Sequence, residues 1–262
     1  MTFVAKKSLG QNFLHAPNVV SAMVHAGGVT KDSFVLEVGP GKGVLTQKLV
    51  ETGARVTVVE KDDRAIPFLN EKFVNEVKSG QLEIIHADIL EFNEQNLPKS
   101  YILLANLPYY ITGEFLRKFL ETPNPAQKMV IMLQKEVAKR IVDEKESILS
   151  ISVKAYGNAK YITTVPRKFF RPIPNVDSAV ISIENISKNF FVESEIDEKY
   201  FFEVLKAGFA HKRKVVIRNL EDKIDKNTLN TLWEREAWSK DLRAENITLE
   251  MWKKIVGNSC IS

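Results

Sequence analysis

A Rossmann-like α/β domain, with a mostly parallel sheet and an antiparallel edge strand, followed by a small all-α domain, is the fold class that this 262-residue sequence predicts. Three observations predict it. From Phe34 onward, short β-branched runs alternate with amphipathic stretches, the pattern of βαβ units and a sheet covered on both faces. A glycine-rich turn, Gly39-Pro40-Gly41-Lys42-Gly43, stands where the first of those runs passes into the first amphipathic stretch. After Asn185 the alternation stops, and helical periodicity runs from Glu198 to Gly257.

In chain order, strands are expected at 34–38, 55–59, 82–85, 101–105 and 129–133, because each is a short, nearly continuous apolar run of the kind a two-sided parallel sheet buries. Helices are expected between them at 44–50, 64–78, 113–121 and 135–143. The segment 147–156 is ambiguous by period and reads as helix. The last two strands, 161–165 and 179–183, have no helix pattern between them and therefore form an antiparallel edge. The helical tail breaks near 225–227 and 246–248. The division that follows is residues 1–189 for the α/β domain with an N-terminal arm, and 190–262 for the helical domain.

Composition narrows the class. With 44% hydrophobic and 27% charged residues the chain is an ordinary globular protein, and no apolar run approaches the ~20 residues that span a bilayer. The N-terminus lacks the apolar core of a signal peptide, and the single cysteine, Cys260, has no partner for an internal disulfide, so a reducing cytoplasm is expected. Four scattered histidines and that one cysteine show no metal-ligand spacing, and no metal is assigned. A monomer is expected. The formal charge of +4 arises in residues 1–189, with 24 basic against 20 acidic residues; residues 190–262 balance at 13 each. Basic surface in the tail is therefore local: His211, Lys212, Arg213, Lys214 and Arg218 follow the helix pattern that starts at 198. Another basic group is Arg167, Lys168 and Arg171.

The polar residues at the expected strand ends suggest a ligand. Gly39, Gly41 and Gly43 let a bound group approach the backbone of the first strand-to-helix turn, but their alternate spacing is not the dinucleotide fingerprint. Glu60 ends the second strand, where an acidic side chain accepts hydrogen bonds from ribose hydroxyls. Asp88 ends the third, where a carboxylate accepts from an adenine amine or serves as a helix N-cap. Asn106 ends the fourth. Such residues border the crevice in which open α/β sheets bind ligands.

The most specific feature is Asn106-Leu107-Pro108-Tyr109. Proline holds Leu107 extended, which sets the Leu107 carbonyl beside the Asn106 amide oxygen. That pair accepts both protons of an exocyclic amine while Tyr109 stacks on the base. The tetrapeptide is a version of the N-P-P-Y signature of amine methyltransferases. An adenine amine is a poor nucleophile because its lone pair is delocalised into the ring. Two acceptors favour the pyramidal amine and free that pair, so positioning carries much of the rate and no general base is required in the attacking step.

Five motifs in order carry a resemblance over nearly the whole chain: Lys6-Lys7-Ser8-Leu9-Gly10-Gln11-Asn12-Phe13-Leu14, the glycine turn, the Asn106 tetrapeptide, the run from Phe170-Arg171-Pro172 to Ser178-Ala179-Val180, and Ala207-Gly208-Phe209 before a basic cluster. The chain resembles the KsgA family of ribosomal RNA adenine dimethyltransferases. The resemblance implies that Asn12, Leu14, Gly39, Gly41, Glu60, Asp88 and Asn106 contact S-adenosyl-L-methionine (SAM), and that Tyr109 and Phe170 bracket the target adenine. It also implies a substrate, two adjacent adenosines in the 3′-terminal hairpin loop of 16S rRNA within the small ribosomal subunit or its precursor. Unpaired loop bases enter a pocket more cheaply than paired ones.

One stretch departs from the family pattern: the usual F-x-x-R-R-K-T-L reads Phe209-Ala210-His211-Lys212-Arg213-Lys214-Val215-Val216, so a bidentate arginine becomes the point charge of Lys212. Alternatives remain. A related Erm-type enzyme would methylate a large-subunit adenine, though its tetrapeptide usually reads N-I-P-Y. A non-catalytic assembly factor would keep the fold without the reaction, and the intact Glu60 and Asn106 speak against it. A nicotinamide dehydrogenase fails on the glycine spacing.

Overall fold

The computed structural model describes residues 4–6, 10–142, 145–211 and 213–259. Lys7, Ser8, Leu9, Lys212 and Cys260, as well as the last residue of the helix expected at 135–143, lie outside the described residues. Nine strands are described: β1 (Phe13–Leu14), β2 (Phe34–Val38), β3 (Arg55–Glu60), β4 (Leu82–His86), β5 (Ile102–Asn106), β6 (Lys128–Gln134), β7 (Asn158–Val165), β8 (Phe170–Arg171) and β9 (Ser178–Glu184). Seven form one sheet in the order β4-β3-β2-β5-β6-β9-β7. The five from β4 to β6 are parallel, and β9 pairs antiparallel with both β6 and β7.

That order explains where a ligand belongs. β2 pairs with β3 on one side and β5 on the other, Val38 standing opposite Val59 and Ala105, so the connections leaving β2 and β5 run to opposite sides. The crevice opens beyond the carboxyl ends of such strands. The strands are anchored because Leu36, Leu103, Leu104, Met129, Val130 and Ile131 are buried on both faces of the sheet, as their unbroken apolar runs require.

The chain divides into two compact units, Met1–Lys139 with Asn158–Ile186, and Arg140–Gly157 with Ser187–Ser262. The first boundary differs from the expected one. The helix Ile148–Tyr156, placed by sequence in the α/β domain, belongs to the helical unit because its apolar side is buried there: the Tyr156 ring lies 5.3 Å from that of Phe191 and 6.1 Å from that of Phe202. Its start is well specified, Ser147 and Ser150 capping each other reciprocally.

Two other expectations are corrected. The single helix at 64–78 is two, Ala65–Lys72 and Val74–Lys78, because Phe73 leaves helical geometry and is buried against the glycine turn. In the tail, the helix Glu198–Gly208 stops before the basic residues: His211, Arg213 and Lys214 precede the short helix Val216–Leu220, which contains Arg218. Packing ends the longer helix: a side chain on Gly208 would meet Trp252, and the Asn219 amide donates to the carbonyls of Gly208 (2.7 Å) and His211 (3.3 Å). Among the described residues no helix is long and apolar enough to cross a membrane.

Candidate active site

The residues that the sequence singles out, Asn12, Leu14, Gly39, Gly41, Glu60, Asp88, Asn106, Leu107, Pro108, Tyr109 and Phe170, line one cavity of about 290 Å³ in the first unit, together with Lys42 of the glycine turn. The sequence reading missed others on its wall, Glu37, Lys61, Ile89, Leu90, Tyr110 and Met132 among them.

The glycine turn is held from behind. Gly43 has φ +67°, and a methyl group there would lie 2.6 Å from Phe73, so both conformation and packing demand glycine. Lys72, next to Phe73, donates to the carbonyls of Lys42 (2.9 Å) and Gly43 (3.0 Å). Burial lowers the pKa of this lysine.

Glu60, buried at the end of β3, is gripped by backbone amides. Its Oε2 accepts from Gly41 (3.2 Å) and its Oε1 from Asp62 (2.9 Å). Burial raises its pKa, and those amide hydrogen bonds oppose the rise. A carboxylate has about four lone-pair sites, so acceptor capacity is left for a ligand. Asp62 in turn is clamped by Arg64 (2.8 and 2.6 Å) and accepts from Gln11 (2.7 Å) of the N-terminal arm; the Arg64 hydrogen bonds hold its carboxyl at about 2.

Asp88 does some of the structural work the sequence allowed for it. Its Oδ1 accepts from the Leu90 amide (3.0 Å) and its Oδ2 from Lys61 (2.5 Å). Burial works against the charged form, but the Lys61 and Leu90 hydrogen bonds outweigh it and the pKa is lowered. Glu37, 1% exposed at the end of β2, is the opposite case. Its Oε2 has no hydrogen-bond partner, and burial, opposed by Thr46 and reinforced by the nearby Glu60 charge, pushes its pKa up to about 8. In sequence Glu37 stands out as the one charged residue of an otherwise apolar strand, but its protonation is set by burial and by its neighbours in the fold.

The tetrapeptide sits at the end of β5. Leu107 donates to the carbonyl of Met132 (3.3 Å), Pro108 is extended (φ −58°, ψ 132°), and the Tyr109 hydroxyl lies 2.8 Å from that of Ser178 in β9. Burial raises the Tyr109 pKa. The Asn106 carbonyl oxygen lies 3.7 Å from where a Gly39 side chain would begin, so the two loops adjoin at the switch point. Asn106 makes no side-chain hydrogen bond with any described residue. Phe170 reaches the cavity through a pairing that local patterns do not reveal: β1 and β8 run antiparallel, Leu14 opposite Phe170, and His15 donates to the carbonyl of Phe169 (2.8 Å). Arg167 and Arg171 are partly structural, Arg167 donating to the Asn175 carbonyl (3.3 Å) and Arg171 to the Phe170 carbonyl (2.9 Å).

A cavity at the switch point of a mostly parallel sheet, with a glycine turn on one wall and a polar-proline-aromatic loop on the other, defines a Rossmann-like methyltransferase domain. A family model described as ribosomal RNA adenine dimethylase matches residues 2–257, and the chain belongs to that family. Among relatives, it is 39% identical to the ribosomal RNA small subunit methyltransferase A of Dehalococcoides mccartyi, over 99% of this chain and 91% of that one. It is 35% identical to the protein of the same description from Fusobacterium nucleatum, over 98% of each. Two solved structures share the fold: the 23S rRNA methyltransferase ErmE, with a TM-score of 0.76 at 21% identity over 95% of this chain and all of that one, and a dimethyladenosine transferase from Plasmodium falciparum, with 0.75 at 22% over 93% and 95%. The chain is thus an enzyme that methylates ribosomal RNA adenine.

Proposed function

We propose that the protein uses SAM to dimethylate the N6 amines of two adjacent adenosines in the 3′-terminal hairpin loop of 16S rRNA, in the cytoplasm, as a monomer acting on the assembling small subunit. The observation that carries the reading is that the amine-binding tetrapeptide and the glycine turn with Glu60 and Asp88 border one cavity. The two relatives described above, both named as small subunit methyltransferases, support 16S over 23S rRNA.

The cavity fits the cofactor. A cationic nucleoside calls for carboxylates and apolar walls, and Glu60 and Asp88 keep acceptor capacity beside Ile89 and Leu90. The orphaned Oε2 of Glu37 is a buried acceptor with no partner from the protein itself. Asn12 and Leu14 would cover the ligand from the arm, with Gly39 and Gly41 admitting it to the backbone. When bound, SAM supplies an electrophilic methyl group on a sulfonium centre. Asn106 and the Leu107 carbonyl would accept hydrogen bonds from the amine N–H groups and so orient the nitrogen. Tyr109 and Phe170 hold the adenine between them, and the buried wall of Leu107, Met132 and Phe170 keeps water away. Catalysis by positioning of this kind contributes on the order of 7–11 kcal/mol in favourable cases.

The test is to incubate the purified protein and SAM with small subunits lacking the modification and, separately, with protein-free 23S rRNA, and to digest the RNA for mass spectrometry. Dimethyladenosine in the small-subunit RNA alone is the expected result. Product in 23S rRNA alone would make this an Erm-type enzyme, and no product in either would leave an assembly factor.

A further inference from the structure

The residue after the tetrapeptide has no part in the reaction as described. Tyr110 lines the cavity, yet the residue is 63% exposed, and it is the one large hydrophobic residue among the described lining residues that is so open. An exposed aromatic ring beside a reaction site costs hydration free energy unless something covers it. The backbone that carries the ring is fixed. It belongs to the short helical turn Tyr109–Ile111, which Ile111 closes by donating to the Pro108 carbonyl (3.3 Å). From behind, the ring is backed by the arm, since a side chain built on Gly10 would begin 3.3 Å from its Cε1 and 3.6 Å from Pro108. One side of the ring is thus braced and the rest is open to solvent.

The surrounding charge indicates what covers it. The charged lining is mixed: Lys61 is tied to Asp88, Lys42 stands on the glycine turn, and exposed Glu114 lies on the same wall as Tyr110. Charges of both signs offer no uniform strip for phosphates, and the exposed ring offers a base a surface to stack on. An adenosine entering beside Asn106 loses its stack on the adjacent base, and that neighbour is left with a bare π face at the cavity mouth. Unpaired bases stack on aromatic side chains, and the interaction is tolerant of base identity.

We propose that Tyr110 is a substrate-positioning residue whose ring takes the nucleobase adjacent to the target adenosine, replacing the stack that the target gives up. This rests on the reading of the tetrapeptide as the amine site. The ring offsets part of the cost of extracting the adenosine and sets how far the strand enters.

The experiment uses the full chain, SAM, and small subunits whose 3′ rRNA segment carries an ordinary or an abasic nucleotide on one side or the other of the remaining target adenosine. Transfer to that adenosine is read by mass spectrometry as KM and kcat, with the SAM Kd measured alongside. Tyr110→Ala should raise KM for the particle about five- to hundredfold, the range that one base–aromatic stack covers, and leave the SAM Kd unchanged. Tyr110→Trp should restore KM. For the wild type, an abasic neighbour on one side should raise KM by a similar factor, and Tyr110→Ala should then add nothing. An equal Tyr110→Ala penalty on ordinary and abasic substrates, or none on either, overturns the proposal. If wild-type protein fails to methylate the ordinary particle, the reading of the amine site falls first and this proposal with it. An altered SAM Kd in Tyr110→Ala would overturn it as well, by showing that the ring braces the arm over the cofactor instead.

Discussion

On the wall of the cavity formed by the ends of β2 and β3, Glu60 is held by two backbone amides, the glycine-turn carbonyls are held by Lys72, and Gln11 ties the arm to Asp62. On the wall formed by the end of β5, the Asn106 amide makes no hydrogen bond with any described side chain, and the neighbouring Tyr110 ring is open. The first wall is tied by the protein's own hydrogen bonds, whereas on the second the Tyr109 hydroxyl and the Leu107 amide are bonded but the Asn106 side chain and the Tyr110 ring stay uncommitted. The difference fits the two ligands. A cofactor of constant shape is bound best by groups fixed in advance, since fixing them on binding would cost affinity. A base delivered by an RNA strand needs acceptors that become satisfied as it is positioned. Glu37, buried and with an unpartnered oxygen on the first wall, is the exception that marks where the cofactor wall is still incomplete.

The largest expected effect breaks the comparison if it fails. Asn106→Ala removes an acceptor that the protein itself does not use, so turnover should fall by roughly two to three orders of magnitude, the scale seen when one preorganised polar group is lost from an active site. Particle binding should change little. Normal turnover at saturating SAM would show that the uncommitted amide is not the amine acceptor.

Glu60→Ala tests the other wall. Hydrogen bonds to a charged acceptor contribute roughly 1.5–3 kcal/mol each, so SAM affinity by calorimetry should drop about ten- to hundredfold with RNA binding intact. An unchanged affinity would mean that Glu60 serves only to fix the Gly41 turn.

Glu37 makes a pH-dependent prediction. Its folded pKa of about 8 lies above the ordinary value of 4.5. The stability associated with its proton is therefore fully present below about pH 4.5 and is lost as pH rises through 8. Glu37→Gln keeps the neutral form, so the ligand-free variant should match the wild type in acid and melt higher at pH 8, with a stability gain of a few kcal/mol at about 1.4 kcal/mol per pKa unit. It should also bind SAM more weakly. Parallel melting temperatures for the two proteins across this range would remove Glu37 from the account.

The smallest effect concerns surface outside the cavity. Arg213, Lys214 and Arg218 are exposed on the turn and short helix after Gly208. Glutamine at these positions and at Lys212 should weaken binding to the small subunit and reduce the slope of log affinity against log salt by roughly 0.7–0.9 for each phosphate that is no longer neutralised. Wild-type affinity and slope would assign them to solvation of the tail alone.

Much of this was legible in sequence because it is local. The apolar runs at 34–38, 101–105 and 129–133 identify buried parallel strands wherever they occur in a chain, since such strands must be apolar on both faces. The glycine turn and the proline after Leu107 restrict their own backbones. The motifs that carry family membership are likewise contiguous. Three other features were settled only by tertiary packing. Residues 147–156 form a helix in either setting, but the Tyr156, Phe191 and Phe202 rings decide that it belongs with the tail. Phe170 lies far from Asn106 in sequence and reaches the same cavity because β8 pairs with β1. The protonation of Glu37 and the exposure of Tyr110 depend on how much solvent each side chain meets, and that is a property of the packed neighbours around a residue, which no local pattern encodes.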